Sequence, residues 1–478
     1  VEFIRLFEPV LLNGLMVANR IVMPAMALFY TNKYAFTDRF KAFYRERARG
    51  AVGLMVIGPV AIDRAGSNPF MPELFDDKQV GPMKQFIDEL HGSTEAKIGT
   101  QLMHLGRYTS SEVTGEVPIA PSAIASPIKE EVPREMTAHD IRKTQDAFVR
   151  AAARAKEAGF DYVEIMAAGG YLIGEYLSPL TNHRTDEYGG SQEGRMRFGL
   201  EVIERVRREL GKGFPLGIRV SGQDYMPGGN TLVESRAFCV EAEKAGVDSI
   251  NVTGGWHETN APQVTSDVPQ GTYVHLARNI KQSVSIPVFA SNRLGDPQMA
   301  EEVLRSGAAD MICWGRPLIA DHALPSKAKA RLLDEIVPCV ACNQGCLDSI
   351  FSDQPVFCTL NPQAGREAST KAKTAVLKKK IYVAGGGPAG LQFALTARQR
   401  GHSVTLYEKT DKLGGQVNLI SSVPGKEEFL GAVRSLENRV RKAGVELKLN
   451  TTLTSGTIRK DCPDTVVVAS GSEPSELE

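Results

Sequence analysis

The chain reads as an α/β protein with an N-terminal TIM (β/α)8 barrel, a cysteine-rich segment, and a partial Rossmann-like unit after it. Three features of the sequence predict this order. Short β-branched runs alternate with helical stretches between residues 20 and 317, four cysteines crowd residues 339–358, and a glycine-rich turn follows the strand-like run 381–384.

The barrel rests on eight candidate strands: Arg20–Met26, Leu54–Val60, Lys97–His104, Tyr162–Ala168, Pro215–Gly222, Ser249–Gly255, Pro287–Arg293 and Met311–Pro317. Eight regular β/α units suit a closed barrel better than an open sheet. The helices between them carry start signals. Thr137 with Asp140 and Thr231 with Glu234 read as capping boxes, and Asp296-Pro297 supplies a cap followed by proline at the first helical position.

In this fold the chemistry gathers at the C-terminal ends of the strands. Those ends carry Pro24-Ala25-Met26, Gly58-Pro59, Gln101 with His104 and Arg107, Gly169-Gly170-Tyr171, Arg219, Gly254-Gly255-Trp256-His257, Ser291-Asn292-Arg293 and Gly315-Arg316. The loops after strands seven and eight occupy the usual phosphate-binding place, so backbone amides near Asn292 and Gly315, with Arg316, are candidates to hold a cofactor phosphate. The plainer alternative is that these loops only turn the chain.

Cys339-x2-Cys342-x3-Cys346-x11-Cys358 places three thiolates within eight residues and a fourth after a loop, a spacing suited to a cubane iron–sulfur cluster. A structural zinc site, the alternative, more often pairs two Cys-x2-Cys knuckles far apart. A cluster passes electrons singly, which directs attention to redox sites on either side of it. Cys239, Cys313 and Cys462 read as ordinary thiols.

Arg366–Lys380, rich in Lys, Ala, Ser and Thr, reads as a linker. Beyond it come a strand, the turn Gly385-x-Gly387-x-x-Gly390, a helix to Arg400, and a second strand ending in Glu408. The glycines permit a tight turn and close approach of a pyrophosphate to the helix N-terminus, and Glu408 is spaced to accept from a ribose hydroxyl. Leu413-Gly414-Gly415-Gln416 argues for FAD over NAD. The expected domains are residues 1–335 (barrel), 336–365 (cysteine segment), 366–380 (linker) and 381–478 (partial dinucleotide unit).

Composition narrows the function. With 56 basic and 56 acidic residues the formal charge is zero, which offers no electrostatic case for nucleic acid. No apolar run approaches the ~20 residues of a membrane span, and no signal-peptide pattern opens the chain. Seven cysteines, four of them bunched, do not resemble a disulfide framework, so a reducing, cytoplasmic setting is expected.

Taken in order, the barrel, the cysteine motif and Gly-Gly-Gly-Pro-Ala-Gly resemble the multi-domain old yellow enzyme-like flavoproteins. That group includes 2,4-dienoyl-CoA reductases, 2-enoate reductases, trimethylamine dehydrogenases and 2-naphthoyl-CoA reductases. NRIVMPAM, QLMHLGR, EIMAAGGYLIGEYLSPLTNHRTDEYGG, GGWHE, SNR, CWGRP and CVACNQGC fall in family order over essentially the whole chain. The resemblance implies FMN in the barrel, a 4Fe-4S cluster on the four cysteines and FAD in the C-terminal unit, with electrons running from NAD(P)H through FAD and cluster to FMN. It implies Pro24, Ala25, Met26, Gly58 and Gln101 around the isoalloxazine, Arg219 near its N1–C2 edge, and Ser291, Asn292, Arg293, Gly315 and Arg316 at the FMN phosphate. Gly385, Gly387, Gly390, Glu408, Gly415 and Gln416 would serve FAD. Tyr171 and His257 match the acid pair that protonates the enolate left by hydride addition to an unsaturated acyl-CoA.

Departures from the pattern refine this. The histidine pair by which simple old yellow enzymes grip an enone oxygen is replaced by Met166 and Gly169, and no cysteine precedes Cys239 to tether FMN as in trimethylamine dehydrogenases. Gly169 stands where dienoyl-CoA reductases often carry an acid, which suggests room for a bulkier or aromatic acyl group. The expected activity is therefore C=C reduction of an unsaturated acyl-CoA. The alternatives are a dearomatising aryl-CoA (2-naphthoyl-CoA-type) reductase, an amine dehydrogenase, and an electron-transfer flavoprotein subunit. Val466–Gly471 resembles the strand and turn that close the first FAD segment, so the sequence is expected to be a fragment whose NAD(P)H domain lies elsewhere, or to draw on an external donor. Further copies of the chain are an allowed partner.

Overall fold

The computed structural model describes residues 2–260, 264–370 and 372–472. Eight parallel strands close into a barrel: β1 (Ile21–Met23), β2 (Leu54–Ala61), β3 (Lys97–Met103), β4 (Tyr162–Ala167), β5 (Leu216–Ser221), β6 (Ser249–Thr253), β7 (Val288–Ala290) and β8 (Met311–Cys313). Each pairs with the next in sequence, and β8 returns to β1 through Ile312–Ile21 and Cys313–Val22. An antiparallel hairpin, Val10–Leu12 with Leu15–Val17, packs Leu12 and Val17 into one cluster with Val22, Leu54, Val56, Phe289 and Met311 of the barrel interior. Leu12 and Val17 are fully buried, each burial stabilising by about 1.5–3 kcal/mol.

The capping signals act where the sequence places them. Thr137 and Asp140 close a capping box on the helix Ala138–Glu157, whose Ile141, Phe148, Ala151 and Ala155 face the core. Thr231 and Glu234 do the same for Leu232–Ala245, and Asp296 accepts from the amides of Gln298 and Met299 ahead of Pro297–Arg305.

Four of the strands stop two or more residues short of the C-terminal ends expected from the sequence. Asn292 and Arg293 have φ of 73° and 55°, incompatible with a strand, so β7 stops at Ala290. Gly315 caps a new helix, Arg316–Ala320, so β8 stops at Cys313. The chain leaves the sheet early at β1, β6, β7 and β8, and the freed residues build the rim of the site.

The stretch expected as a linker is anchored at its start. Glu367 is buried and accepts from Arg47 Nη1 at 2.6 Å. Arg47 is itself fully buried, donates to the carbonyls of Leu318 and Phe43, and lies over the Phe43 ring. Composition cannot reveal this pair, because its members lie 320 residues apart.

The C-terminal unit has strands β9 (Lys380–Ala384), β10 (Ser403–Tyr407), β11 (Glu446–Lys448) and β12 (Thr465–Val468), parallel in the order β11-β10-β9-β12. The helix Pro388–Gln399 follows β9 and buries Leu391, Ala394 and Leu395. This is the Rossmann-like arrangement the sequence predicts. The unit docks on the barrel through Glu428, which takes both Arg293 Nη2 (2.6 Å) and Nη1 (3.0 Å) and accepts from Gln270 Nε2 (2.9 Å). Among the described residues no helix is long and apolar enough to cross a membrane.

Replacing Arg47 by Met strands the Glu367 carboxylate in the core, and is expected to destabilise the barrel by about 3–5 kcal/mol, read as a fall in the first thermal transition. An unchanged transition contradicts the role given to this pair.

Candidate active site

Five barrel strands meet at one buried carboxylate. Glu164 on β4 is fully buried, accepts from Gln101 Nε2 on β3 at 2.6 Å, and from Asn251 Nδ2 on β6 at 3.0 Å. Asn251 Oδ1 in turn accepts from Ser291 Oγ after β7 at 2.9 Å and lies 3.5 Å from Cys313 Sγ on β8. Burial raises the Glu164 pKa, while the Arg219 cation and the two amides pull it back down. The sequence offered one signal of this site: a charged residue in the middle of an otherwise apolar barrel strand.

Above this layer opens a cavity of about 580 Å³, within the range of small-ligand sites. Its walls include Pro24, Ala25, Met26, Gln101, Tyr171, Arg219, His257, Ser291, Asn292, Arg293, Gly315 and Arg316. Gly58 stands one step back: Pro59 lines the cavity, and the Gly58 carbonyl accepts from the Met26 amide at 2.9 Å. The Arg293 guanidinium, expected at a phosphate, is held by Glu428 and the Val268 carbonyl. Asn292 and Arg293 both turn left-handed at the cavity wall, a conformation asparagine tolerates and arginine rarely adopts, and Asn292 Oδ1 accepts from Thr253 Oγ1 (2.9 Å) and the Gly254 amide (3.3 Å).

Two loops are tied together to bring Tyr171 and His257 into contact. Gly169 bridges to Trp256 in the manner of a parallel strand pair, and Ser221 Oγ accepts from the Gly169 amide (3.0 Å) while contacting the Gly255 carbonyl (3.2 Å). Gly170 has φ of 83°, and a Cβ there would stand 2.3 Å from the Tyr108 hydroxyl, so only glycine fits. The Tyr171 hydroxyl then lies 2.9 Å from His257 Nε2. Burial, with Arg219 opposing it, pushes the Tyr171 phenol up to about 12. Burial, with Arg219 adding to it, pulls the His257 imidazole down to about 4. The pair is neutral around pH 7, and His257 Nδ1 is buried without a partner among the described residues. A phenol hydrogen-bonded to a neutral imidazole can release a proton inward and take one back.

The loop bearing His257 is pinned by its neighbour. Glu258 accepts from Arg107 Nη2 at 2.5 Å, both side chains nearly buried, and from Ser126 Oγ. Glu175, one turn beyond Tyr171, is fully buried and accepts from the Arg107 amide at 2.8 Å; burial pushes its carboxyl up to about 8.

Cys339, Cys342, Cys346 and Cys358 ring a small recess that Arg316 and Ile319 share with the large cavity. Among the described residues no three His, Cys, Asp or Glu side chains gather as one metal ion requires. Burial pushes Cys346 and Cys358 up to about 11, while Arg316 opposes it at Cys346.

In the C-terminal unit a Cβ on Gly390 would stand 2.0 Å from the Gly385 carbonyl oxygen, whereas Gly387 faces open space. This is the cradle a pyrophosphate needs. Glu408 accepts from the amides of Gly386 (2.7 Å) and Thr410 (2.9 Å). Burial alone would raise its pKa, but these donors bring it below the usual value. Gly415, at φ 53°, packs beside Gly387, and Gln416 Nε2 donates to the Ser472 carbonyl at 2.6 Å.

Residues 5–335 match the family model described as NADH:flavin oxidoreductase / NADH oxidase. The chain belongs to this family. Residues 379–478 match the pyridine nucleotide-disulphide oxidoreductase model. The chain is 46% identical over 473 residues to a metal reductase of Desulforamulus reducens, covering 98% of this chain and 71% of that protein. It is 41% identical over 480 residues to an NADH oxidase of Thermoanaerobacter brockii, covering 99% and 74%. A solved 2-naphthoyl-CoA reductase in complex with 2-naphthoyl-CoA superposes with a TM-score of 0.96 at 34% identity, over 100% of this chain and 75% of that one. The chain is thus an NAD(P)H-dependent flavin oxidoreductase, its barrel an FMN domain and its C-terminal unit of the FAD/NAD type.

Glu175 gives a signed pH test. Its carboxyl holds a proton up to about pH 8 in the folded state and up to 4.5 otherwise. The stability it contributes is therefore full below pH 4.5 and lost as pH rises through about 8. Melting temperatures followed from pH 6 to 9 should fall more steeply for the wild type than for Glu175→Gln; parallel curves contradict the assignment.

Proposed function

We propose that the protein reduces a carbon–carbon double bond conjugated to the carbonyl of an acyl-CoA thioester. The observation that carries this reading is the neutral Tyr171–His257 pair, 2.9 Å apart, at the wall of the flavin cavity. When bound, FMN supplies a hydride to the carbon remote from the carbonyl. The chain's residues do the rest. Gln101, fixed by Glu164, and Arg219 orient the cofactor edge, and backbone amides at Asn292 and Gly315 with Arg316 hold its phosphate. Tyr171 protonates the carbon next to the carbonyl, His257 Nε2–H donates a hydrogen bond to the phenolate left behind, and the phenolate regains its proton from solvent water once the product leaves. Cys339, Cys342, Cys346 and Cys358 hold a 4Fe-4S cluster. Gly385, Gly387, Gly390, Glu408, Gly415 and Gln416 serve FAD, through which electrons arrive from NAD(P)H.

A second reading, dearomatisation of a fused-ring aryl-CoA, is favoured by Gly169. A Cβ there would point at the Tyr171 ring (3.4 Å) and His257 Nε2 (3.7 Å), so its absence widens the site beside the pair. The likeness to 2-naphthoyl-CoA reductase supports the same reading. An amine dehydrogenase is disfavoured by the lack of a cysteine near β1 to tether the flavin.

The test is anaerobic: the fully reduced holoenzyme is mixed with a 2,4-dienoyl-CoA and flavin absorbance is followed. Rapid reoxidation is expected; none, with flavins and cluster present, contradicts the reading and turns attention to aryl-CoA, metal or oxygen acceptors. Tyr171→Phe should slow that reoxidation by roughly 10²–10⁴-fold while reduction by NAD(P)H keeps its rate. Gly169→Phe should impair bulky acyl groups more than small ones; an equal loss on both counts against a site widened at Gly169.

A further inference from the structure

Three aromatic rings surround the His257 imidazole, all roughly edge-on: Tyr171 at 5.3 Å between centroids, Tyr108 at 5.7 Å and Phe351 at 5.7 Å. Tyr171 and Tyr108 come from barrel loops. Phe351 comes from the cysteine segment, as the last residue of the helix Leu347–Phe351, whose N-cap is Cys346. Leu347 and Ile350 on the same turn line the flavin cavity. A helix this short does not hold itself. Its place is fixed by Cys346 at one end, by Ser349 Oγ on the Gly345 carbonyl (3.2 Å), and by Val356, whose carbonyl accepts from the Tyr30 hydroxyl (2.6 Å). Phe351 nevertheless leaves 43% of its surface exposed. Phe351 is not itself among the residues lining the cavity; its ring stands open beside His257, which is, where an acyl group reaching past the acid pair would meet it.

We propose that Phe351 is a specificity-determining residue that favours acyl groups whose double bond is conjugated to an aromatic ring. The inference rests on the reading of Tyr171 and His257 as the substrate-facing pair, and it names the substrate class of that same site. An aryl group extended from the reacting double bond meets the Phe351 ring in an offset or edge-to-face contact and covers its exposed surface. A short aliphatic acyl group has no π-system to match it and gains little. Because Cys346 caps the helix that ends in Phe351, the cysteine segment forms a wall of the substrate site as well as an electron path.

The test uses holoenzyme with equal flavin and iron content, and two ligands, cinnamoyl-CoA and crotonyl-CoA. Binding to the oxidised enzyme is read from the flavin difference spectrum, so it needs no turnover. Phe351→Ala should weaken cinnamoyl-CoA binding about five- to twenty-fold and crotonyl-CoA binding less than about two-fold. Phe351→Leu, which keeps the bulk without the π face, should restore cinnamoyl-CoA binding only in part. Equal effects on both ligands, no effect on either, full rescue by leucine, or a wild type that binds crotonyl-CoA at least as tightly as cinnamoyl-CoA each overturn the proposal. A wild type that prefers cinnamoyl-CoA but is not reoxidised by any unsaturated acyl-CoA contradicts the proposed reaction and leaves the role of Phe351 standing.

Discussion

The site depends on one carboxylate that water does not reach. Burying an unpaired ionised carboxylate costs several kcal/mol, so Glu164 persists in the barrel only because Gln101 and Asn251 donate to it and Arg219 lies near enough to favour its charge. The same requirement runs outward. Asn251 is shared with Ser291 and Cys313, so the polar layer fixes side chains on or just beyond strands β3, β4, β6, β7 and β8 together. Burial keeps the His257 imidazole neutral, with the Arg219 cation adding to it, and burial raises the Tyr171 phenol, which Arg219 moderates.

On that floor, two kinds of element shape the cavity. The barrel loops are tied together by the Gly169–Trp256 bridge, Ser221 and the Arg107–Glu258 pair, and they carry the proposed acid pair. The parts that follow the barrel in sequence pack onto the same rim from outside. The cysteine segment sets Phe351 against His257, and Glu428 of the nucleotide unit takes the Arg293 guanidinium that sits beside the phosphate loop. Flavin cavity, cysteine recess and nucleotide unit thus share walls, as Arg316 does between the first two.

Much of this was legible in the sequence because it is local. Strand number, the Thr137 and Thr231 capping boxes, the cysteine spacing and the Gly385–Gly390 turn depend on residues a few positions apart, and each has a fixed physical meaning at that distance. Strand ends were overrun because the expected strands were carried on into the loop residues that follow them, such as Asn292 and Arg293, whose left-handed backbone leaves no mark in composition. Contacts across the fold left no local trace. Glu164 stands out as a charge in an apolar strand, but its partners Gln101 and Asn251 do not, Arg47 and Glu367 meet over 320 residues, and Arg293 and Glu428 over 135. Tyr171 and His257 were readable as candidates from their strand ends, but their 2.9 Å contact comes from glycines whose φ values no composition reports.

The central claim is that Tyr171 delivers a proton to one face of the carbon next to a thioester carbonyl. The most direct measurement is to let the reduced holoenzyme act on a trans-2-enoyl-CoA in D2O and determine the configuration of the deuterium at that carbon. The account predicts a saturated product labelled there in a single configuration. Deuterium in both configurations equally, or no saturated product, would contradict it.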